Sequence, residues 1–495
     1  MTDLGKQDTQ TIYQSLDART EALLGSPEAL EDFALGDDYA LNPAFIALVI
    51  DAADRGNLAR LAKLIKALHP ADMADLLGFL SEDYREILMP LIAIEDLPEV
   101  LTELDEDIRE ELIKTLPTKD LALVLSELDS DDATAVFEDL ELDQQQALLA
   151  ALPESEAEAM KTSLRFEPYT AGRLMQREVM NAPPFWTVGQ CIDHMRENAD
   201  NLPELFFDIY ITDPAHKVLG GLAVSTLMRF ARSTDLSTLM EPVTEISAHL
   251  EQEEVAYIFE KYHLISAPVV DETGRLIGQI TVDDIVNIIQ EENREDILAL
   301  GGVSDDEGRD SSVLDGVRSR LPWLSFNLIT AFVSVSVISA FAHQIAQLVI
   351  LAVLMPVVAS LGGNSGTQAL TVSVRALAAR ELSMANAART VLREVKVALV
   401  NAIGIGLLLA IVAAGLYFYT SPSEIPVQDA VKLGGVMLLS VLINFTAAAL
   451  AGTLVPLTLS HLDRDPAVAS PIFVTMITDS IGFFSFLALA SLILL

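Results

Sequence analysis

Asp479 is the residue best placed to do chemistry in this 495-residue chain. It lies in Thr475-Met-Ile-Thr-Asp-Ser-Ile-Gly482, inside the apolar stretch 471–495. A carboxylate at membrane depth costs roughly 2.5–3.5 kcal/mol on the insertion scale. No Lys or Arg falls within the apolar core of any candidate span to neutralise it. A cation or proton partner is therefore expected. One carboxylate per chain is thin for a divalent ion, but a twofold dimer would bring two together on its axis. Magnesium suits such a pair, because it dehydrates reluctantly and binds through one or two carboxylates while keeping several waters.

A second constellation stands in another apolar stretch, where Pro356 is followed by Leu361-Gly-Gly-Asn-Ser-Gly-Thr-Gln368. Adjacent glycines among polar side chains predict a helix that opens and aims carbonyls at a cation, which is tolerated only along a water-filled path. The competing reading is close helix packing, since Gly362 and Gly366 form a G-x-x-x-G pair. Packing alone leaves Asn364, Thr367 and Gln368 without a role.

Both constellations need a membrane. Apolar runs near 323–342, 346–374, 395–419, 431–458 and 471–495 each reach the ~20 residues that a spanning helix requires. Five spans put the chain's two ends on opposite sides. Arg318, Arg320, Arg380, Arg389, Arg393, Lys396 and Arg464 flank one side, and only Lys432 the other. Basic flanks mark the cytoplasmic face, so the soluble half is expected in the cytoplasm and the C-terminus outside, in a multi-pass protein of the inner membrane. Residues 1–38 carry no apolar core of a signal peptide, and the single Cys191 fits a reducing compartment.

From Leu321 onward there are seven Lys/Arg against seven Asp/Glu, so the whole net charge of −41 belongs to residues 1–320. Nucleic acid and anionic lipid surfaces are poor partners for such a field, and divalent cations are good ones. Residues 70–160 repeat every 24 residues, with anchors Leu80-Ser-Glu-Asp83, Leu104-Asp-Glu-Asp107, Leu128-Asp-Ser-Asp131 and Leu152-Pro-Glu-Ser155. Each joins two short amphipathic patterns, and Asp or Ser at the junction predicts a side-chain N-cap. Such helix pairs stack into a small superhelix. For any one acid here, a solvated helix face is the commoner role.

From Gly172 to Gln290 the pattern turns to strands near Phe207–Thr212, Val218–Val224, Ala267–Val270 and Leu276–Val282, in two units about 58 residues apart. The run from Ala267 to Asp284 resembles the second half of a cystathionine-β-synthase (CBS) domain pair. Gly278, Thr281 and Asp284 match the G-x-x-[ST]-x-x-D segment with which such domains hold an adenine nucleotide such as ATP. The first unit, Gly220 to Thr226, lacks the hydroxyl and the acid, so at most one such site is implied. A capped strand-to-helix turn explains the same residues.

Taken in order from about Leu41, the chain resembles the MgtE family of magnesium channels. Its specific pieces are Gly362-Gly-Asn-Ser-Gly-Thr-Gln368, Arg375-Ala-Leu-Ala, Asp465-Pro-Ala and Thr478-Asp479. The resemblance implies an N-terminal extension (1–40), an all-α superhelical N domain (41–170), an α/β CBS pair (171–292), a connecting plug helix and linker (293–320) and a membrane domain of five helices (321–495). It implies a homodimer in the bilayer with Asp479, Gly363 and Asn364 along the pore and Asp465 at its cytoplasmic mouth. Glu99, Asp131, Glu251, Glu253, Asp284, Glu292, Glu295 and Asp296 would be its magnesium sensor. Ala135, His263 and Asn287 replace acids or ligands expected there. Sensor occupancy would close the pore, a negative feedback on magnesium import.

Two rivals remain at the level of sequence: an exchanger in which Asp479 carries protons, and a membrane-anchored nucleotide sensor that transports nothing. An enzyme is disfavoured, because the histidines are scattered and no Gly-rich phosphate loop leads into a lysine.

Overall fold

The computed structural model describes residues 27–199, 202–203, 205–303, 313–420, 427–462 and 464–495. Most of the expected N-terminal extension (1–26) and the linker segment 304–312 lie outside the described residues. The chain divides into two compact units, Met1–Ile289 and Gln290–Leu495.

The first unit opens with short helices: α1 (Pro27–Ala34), α2 (Pro43–Asp54), α3 (Leu58–Ile65), α4 (Pro70–Phe79), α5 (Glu82–Leu88), α6 (Leu97–Thr102), α7 (Glu106–Ile113), α8 (Thr118–Glu127), α9 (Ser130–Glu138), α10 (Leu142–Ala151) and α11 (Glu154–Ser163). They share one apolar core running from Leu30 and Ala34 to Met160. The segment 27–34, expected in the extension, is thus part of the packed domain. The repeat is visible in its ion pairs. Arg85 and Arg109, one repeat apart, reach forward to Glu111 and Asp139. The expected caps are only half realised. Ser81, Asp105 and Asp129 occupy N-cap positions but accept no side-chain capping bond, and the fourth anchor places Pro153 there. The repeat is held by buried leucines and by these arginine bridges.

After α12 (Ala171–Leu174) come two modules of one design. The first has β1 (Asn181–Ala182), α13 (Val188–Glu197), β2 (Asp208–Thr212), β3 (Val218–Ala223) and α14 (Val224–Leu227). The second has β4 (Ile246–Ser247), α15 (Gln252–Tyr262), β5 (Ser266–Val270), β6 (Leu276–Thr281) and α16 (Val282–Leu300). Each sheet pairs its first two strands in parallel and its last two antiparallel. Even the irregularities match, with register shifts at Ile211/Thr212 and Val269/Val270. Asp213 and Asp271 close the two hairpins alike, each Oδ1 accepting from the backbone N–H groups two and four residues on. His263, in place of an expected ligand, ends α15 in the left-handed conformation. The expected boundary at 292/293 falls inside α16.

In the second unit α17 (Val313–Ala340), α19 (Ile350–Ala378), α20 (Ala387–Thr420), α21 (Val427–His461) and α22 (Pro466–Ile493) are long and apolar enough to cross a membrane, and α18 (Ala342–Gln347) is a short link. The helix α21 is central, packing against α19, α20 and α22.

Candidate functional site

The polar run 361–368 does not open. It lies inside α19, helical from Ile350 to Ala378. Its glycines serve close approach. A Cβ on Gly366 would stand 2.7 Å from Val474 Cγ1 and 3.2 Å from Thr478 Cγ2, while one on Gly362 would overlap the Asn444 amide. The open-helix expectation is corrected for a physical reason. Here small residues let backbones approach, and the intrahelical hydrogen bonds are kept.

On the neighbouring face Gly363 has nothing within 4 Å of its notional Cβ, and Asn364, Thr367 and Gln368 are exposed. Asp479 is half-buried on α22 next to Thr478, whose methyl borders the Gly366 seam. Among the described residues nothing forms a hydrogen bond or ion pair with the Asp479 carboxylate. Asp465 is the N-cap of α22, its Oδ1 accepting from Ala467 N–H at 2.7 Å. Two polar residues of this domain escaped the sequence reading. Asn444 is fully buried on α21, and Glu394 is buried on α20, paired with Arg393 at 2.8 Å beside a cavity of about 230 Å³. A lone Asn within the apolar run 431–458 was the signal for the first.

The first unit builds an acidic cluster. The segment 175–178 threads between α9 and β6. Gln176 and Gln279 exchange backbone hydrogen bonds at 2.8 Å, and Glu178 accepts from Ser130 Oγ at 2.8 Å. That fixes the start of α9, with Asp131 and Asp132, close to the start of α16, with Asp283 and Asp284. Burial first, then the charge of Asp284, holds the Asp131 carboxyl well above the usual range. Asp132 is pushed up to about 7 by burial and then by Asp284. Asp284 is pushed up to about 6, chiefly by burial and partly opposed by its hydrogen bond from Thr281. Arg109, which acts on Asp132, is already ion-paired with Asp139 at 2.6 Å. Asp131 Oδ1 is buried without a hydrogen-bond partner. Among the described residues no three His, Cys, Asp or Glu side chains converge as a preformed ligand set.

The other expected sensor acids are elsewhere. Glu99 is exposed in the first turn of α6, and Glu251 and Glu253 are exposed at the start of α15. Glu292, Glu295 and Asp296 lie on the later turns of α16, which ends in an apolar contact of Ala299 with Leu370, Val374, Ala451, Ala467 and Val474. Of the three nucleotide-motif residues, Thr281 donates to Asp284 Oδ2 at 2.8 Å. A Cβ on Gly278 would stand 2.7 Å from both Gln176 O and Met175 Sδ, so this glycine is explained by packing.

Three family models match in order: the MgtE intracellular N domain over residues 68–169, a CBS domain over 236–291 and the MgtE divalent cation transporter domain over 355–489. A magnesium transporter MgtE of Thermus thermophilus is 32% identical over 67% of this chain and 71% of its own length. One of Enterococcus faecalis is 31% identical over the same shares. The chain belongs to the MgtE family of magnesium transporters. Among solved structures, the cytosolic domain of the Mg2+ channel MgtE in complex with ATP is 28% identical and covers 49% of this chain and 99% of its own, with a TM-score of 0.46. The soluble part of a magnesium transporter is 25% identical over 50% and 98%, with a TM-score of 0.44. Membership in this family makes magnesium the transported substrate.

Proposed function

We propose that this MgtE-family chain works as a homodimeric channel that admits magnesium through the inner membrane and closes when magnesium occupies its acidic cytoplasmic domains. The observation that carries the reading is that Asp131 and Asp132 at the start of α9 and Asp284 at the start of α16, from two domains, feel one another's charge, with carboxyls held above their usual range. A hydrated divalent ion relieves that repulsion without needing a preformed ligand set, since magnesium keeps most of its waters. The bias then has a route to the pore. α16 begins with Asp283 and Asp284 and ends on Ala299, which packs on the helices α19, α21 and α22. Occupied acids hold α16 in place; vacated acids release it, a two-state element shifted by its ligand.

In the pore, Asp479 with its twofold mate grips the hydrated ion, and Gly363 and Asn364 line the path beside it. Asp465 concentrates cations at the cytoplasmic mouth while capping α22. Glu292, Glu295 and Asp296 extend the sensor along α16. An adenine nucleotide such as ATP is the second ligand of this reading, at the turn that carries Thr281 and Asp284. Its occupancy and that of magnesium compete for Asp284. No catalytic residue is assigned.

The test is magnesium flux into proteoliposomes, with Asp479→Ala alongside and a pH gradient imposed in parallel. Flux that needs Asp479 and ignores the pH gradient supports the channel. Flux that follows the proton gradient makes Asp479 a coupling site and the protein an exchanger. Absence of flux at any magnesium concentration would sink the transport reading.

A further inference from the structure

We infer that Asn444 is a positioning residue for ion passage, a side chain that sets the spacing of α19 and α22 on either side of Asp479. The inference rests on the channel reading above. Asn444 projects from α21 into a fully buried site in the membrane domain. Its Nδ2 donates to Val358 O at 3.0 Å. In an α-helix that carbonyl also receives the N–H of the residue four positions on, here Gly362. The missing side chain at 362 is what lets the amide reach it.

On its other side the amide meets Gly482 of α22, where a Cβ would stand 2.6 Å from Nδ2. Asn444 is thus held between two glycines from two helices, neither of which has room for a methyl group. Asp479 lies three residues before Gly482, and Gly363 and Asn364 directly follow Gly362. A second contact, Gly366 against Val474 and Thr478, closes the same seam. Asp479 therefore sits on a stretch of α22 pinned at both ends against α19.

A purely structural residue would be expected to use its polar atoms fully or to have none. Asn444 Oδ1 is buried with no hydrogen-bond partner, which costs free energy that an apolar side chain would not. What the amide supplies that an apolar group cannot is a directional bond to one carbonyl. That bond fixes how far α19 slides along α21, and the same amide seats Gly482 of α22, so it sets the register between Asn364 and Asp479.

The experiment compares wild type, Asn444→Ala, Gly362→Ala and the double variant as full-length protein in proteoliposomes. It measures Mg2+ and Ca2+ flux and, for each preparation, the folded fraction in detergent. The expected result is that Asn444→Ala keeps its folded fraction and loses about tenfold in the Mg2+/Ca2+ flux ratio, the factor that ~1.4 kcal/mol of relative barrier gives. Gly362→Ala, damaging in wild type, should cost less in the Asn444→Ala background, where its methyl has room. A wild-type flux ratio in Asn444→Ala, or equal damage from Gly362→Ala in both backgrounds, overturns the inference. So does a parallel drop of both fluxes that tracks the folded fraction, the mark of a merely structural role. A wild-type protein that moves no magnesium overturns instead the channel reading beneath it.

Discussion

Asp131 at the start of α9 and Asp284 at the start of α16 stand close enough that the charge of Asp284 adds to burial in holding the Asp131 carboxyl above its usual range. They belong to different domains, brought together by the 175–178 segment. An interface that gathers like charges is metastable without a counterion. It is the joint that the proposed magnesium sensing would use.

Magnesium should therefore tighten this joint selectively. Hydrogen exchange on the full-length protein should show α9 and the first turn of α16 gaining protection as magnesium rises. At a hundred times the dissociation constant the gain is about 2.7 kcal/mol for one site. Replacing Asp131, Asp132 and Asp284 together by Asn should give that protection without magnesium and leave no further response. A triple variant that still gains protection would place the sensor elsewhere.

The same acids give a pH dependence whose sign is fixed. Their folded-state carboxyls titrate higher than in the unfolded chain, Asp132 near 7 and Asp284 near 6. Between about pH 4 and pH 7 the folded unit thus binds more protons, so its stability falls as pH rises through that window. Without magnesium, α9 should be better protected at pH 5 than at pH 8, by up to a few kcal/mol at the ~1.4 kcal/mol that one pKa unit represents. Saturating magnesium or the Asn substitutions should flatten the profile. Protection that rises with pH would contradict this account.

The duplication of the CBS modules was legible because alternating strands and Asp-led turns are local signals. β2, β3, β5 and β6 begin and end within a residue or so of expectation. The five spans were legible from length and apolarity alone. What failed was the inference from Gly-rich sequence to an open helix. Gly362 and Gly366 are defined by what lies opposite them, Asn444 and Val474, and sequence shows only one side of a contact. For the same reason Asp131 and Asp284 could be assigned to the site only by resemblance. Nothing in either segment alone says that residues 175–178 will bring them together.

Neighbouring glycines on α19 should respond in opposite ways. Gly366→Val drives its Cβ to within 2.7 Å of Val474 Cγ1, an overpacking that costs about 1–3 kcal/mol or more. It should lower the folded yield in detergent. Gly363→Ala meets nothing within 4 Å and should leave the folded yield unchanged. Any change in magnesium flux in Gly363→Ala then reports on the ion path itself. A collapse of folded yield in Gly363→Ala would mean that this face is covered by protein.

The end of α16 offers a way to uncouple gate from sensor. Ala299 is buried in one apolar cluster with Leu370, Val374, Ala451, Ala467 and Val474, so a larger side chain would have to displace its neighbours. Ala299→Leu should weaken this contact by about 1–3 kcal/mol, which shifts a two-state equilibrium by roughly 5–150-fold. The acids of the first unit are untouched, so magnesium should still protect α9 from hydrogen exchange. Flux, however, should persist at magnesium concentrations that silence the wild type. Were Ala299→Leu to close as readily as wild type while the α9 response is intact, the docking of Ala299 would not be the gate. The signal from Asp284 would then have to reach the membrane helices by another contact.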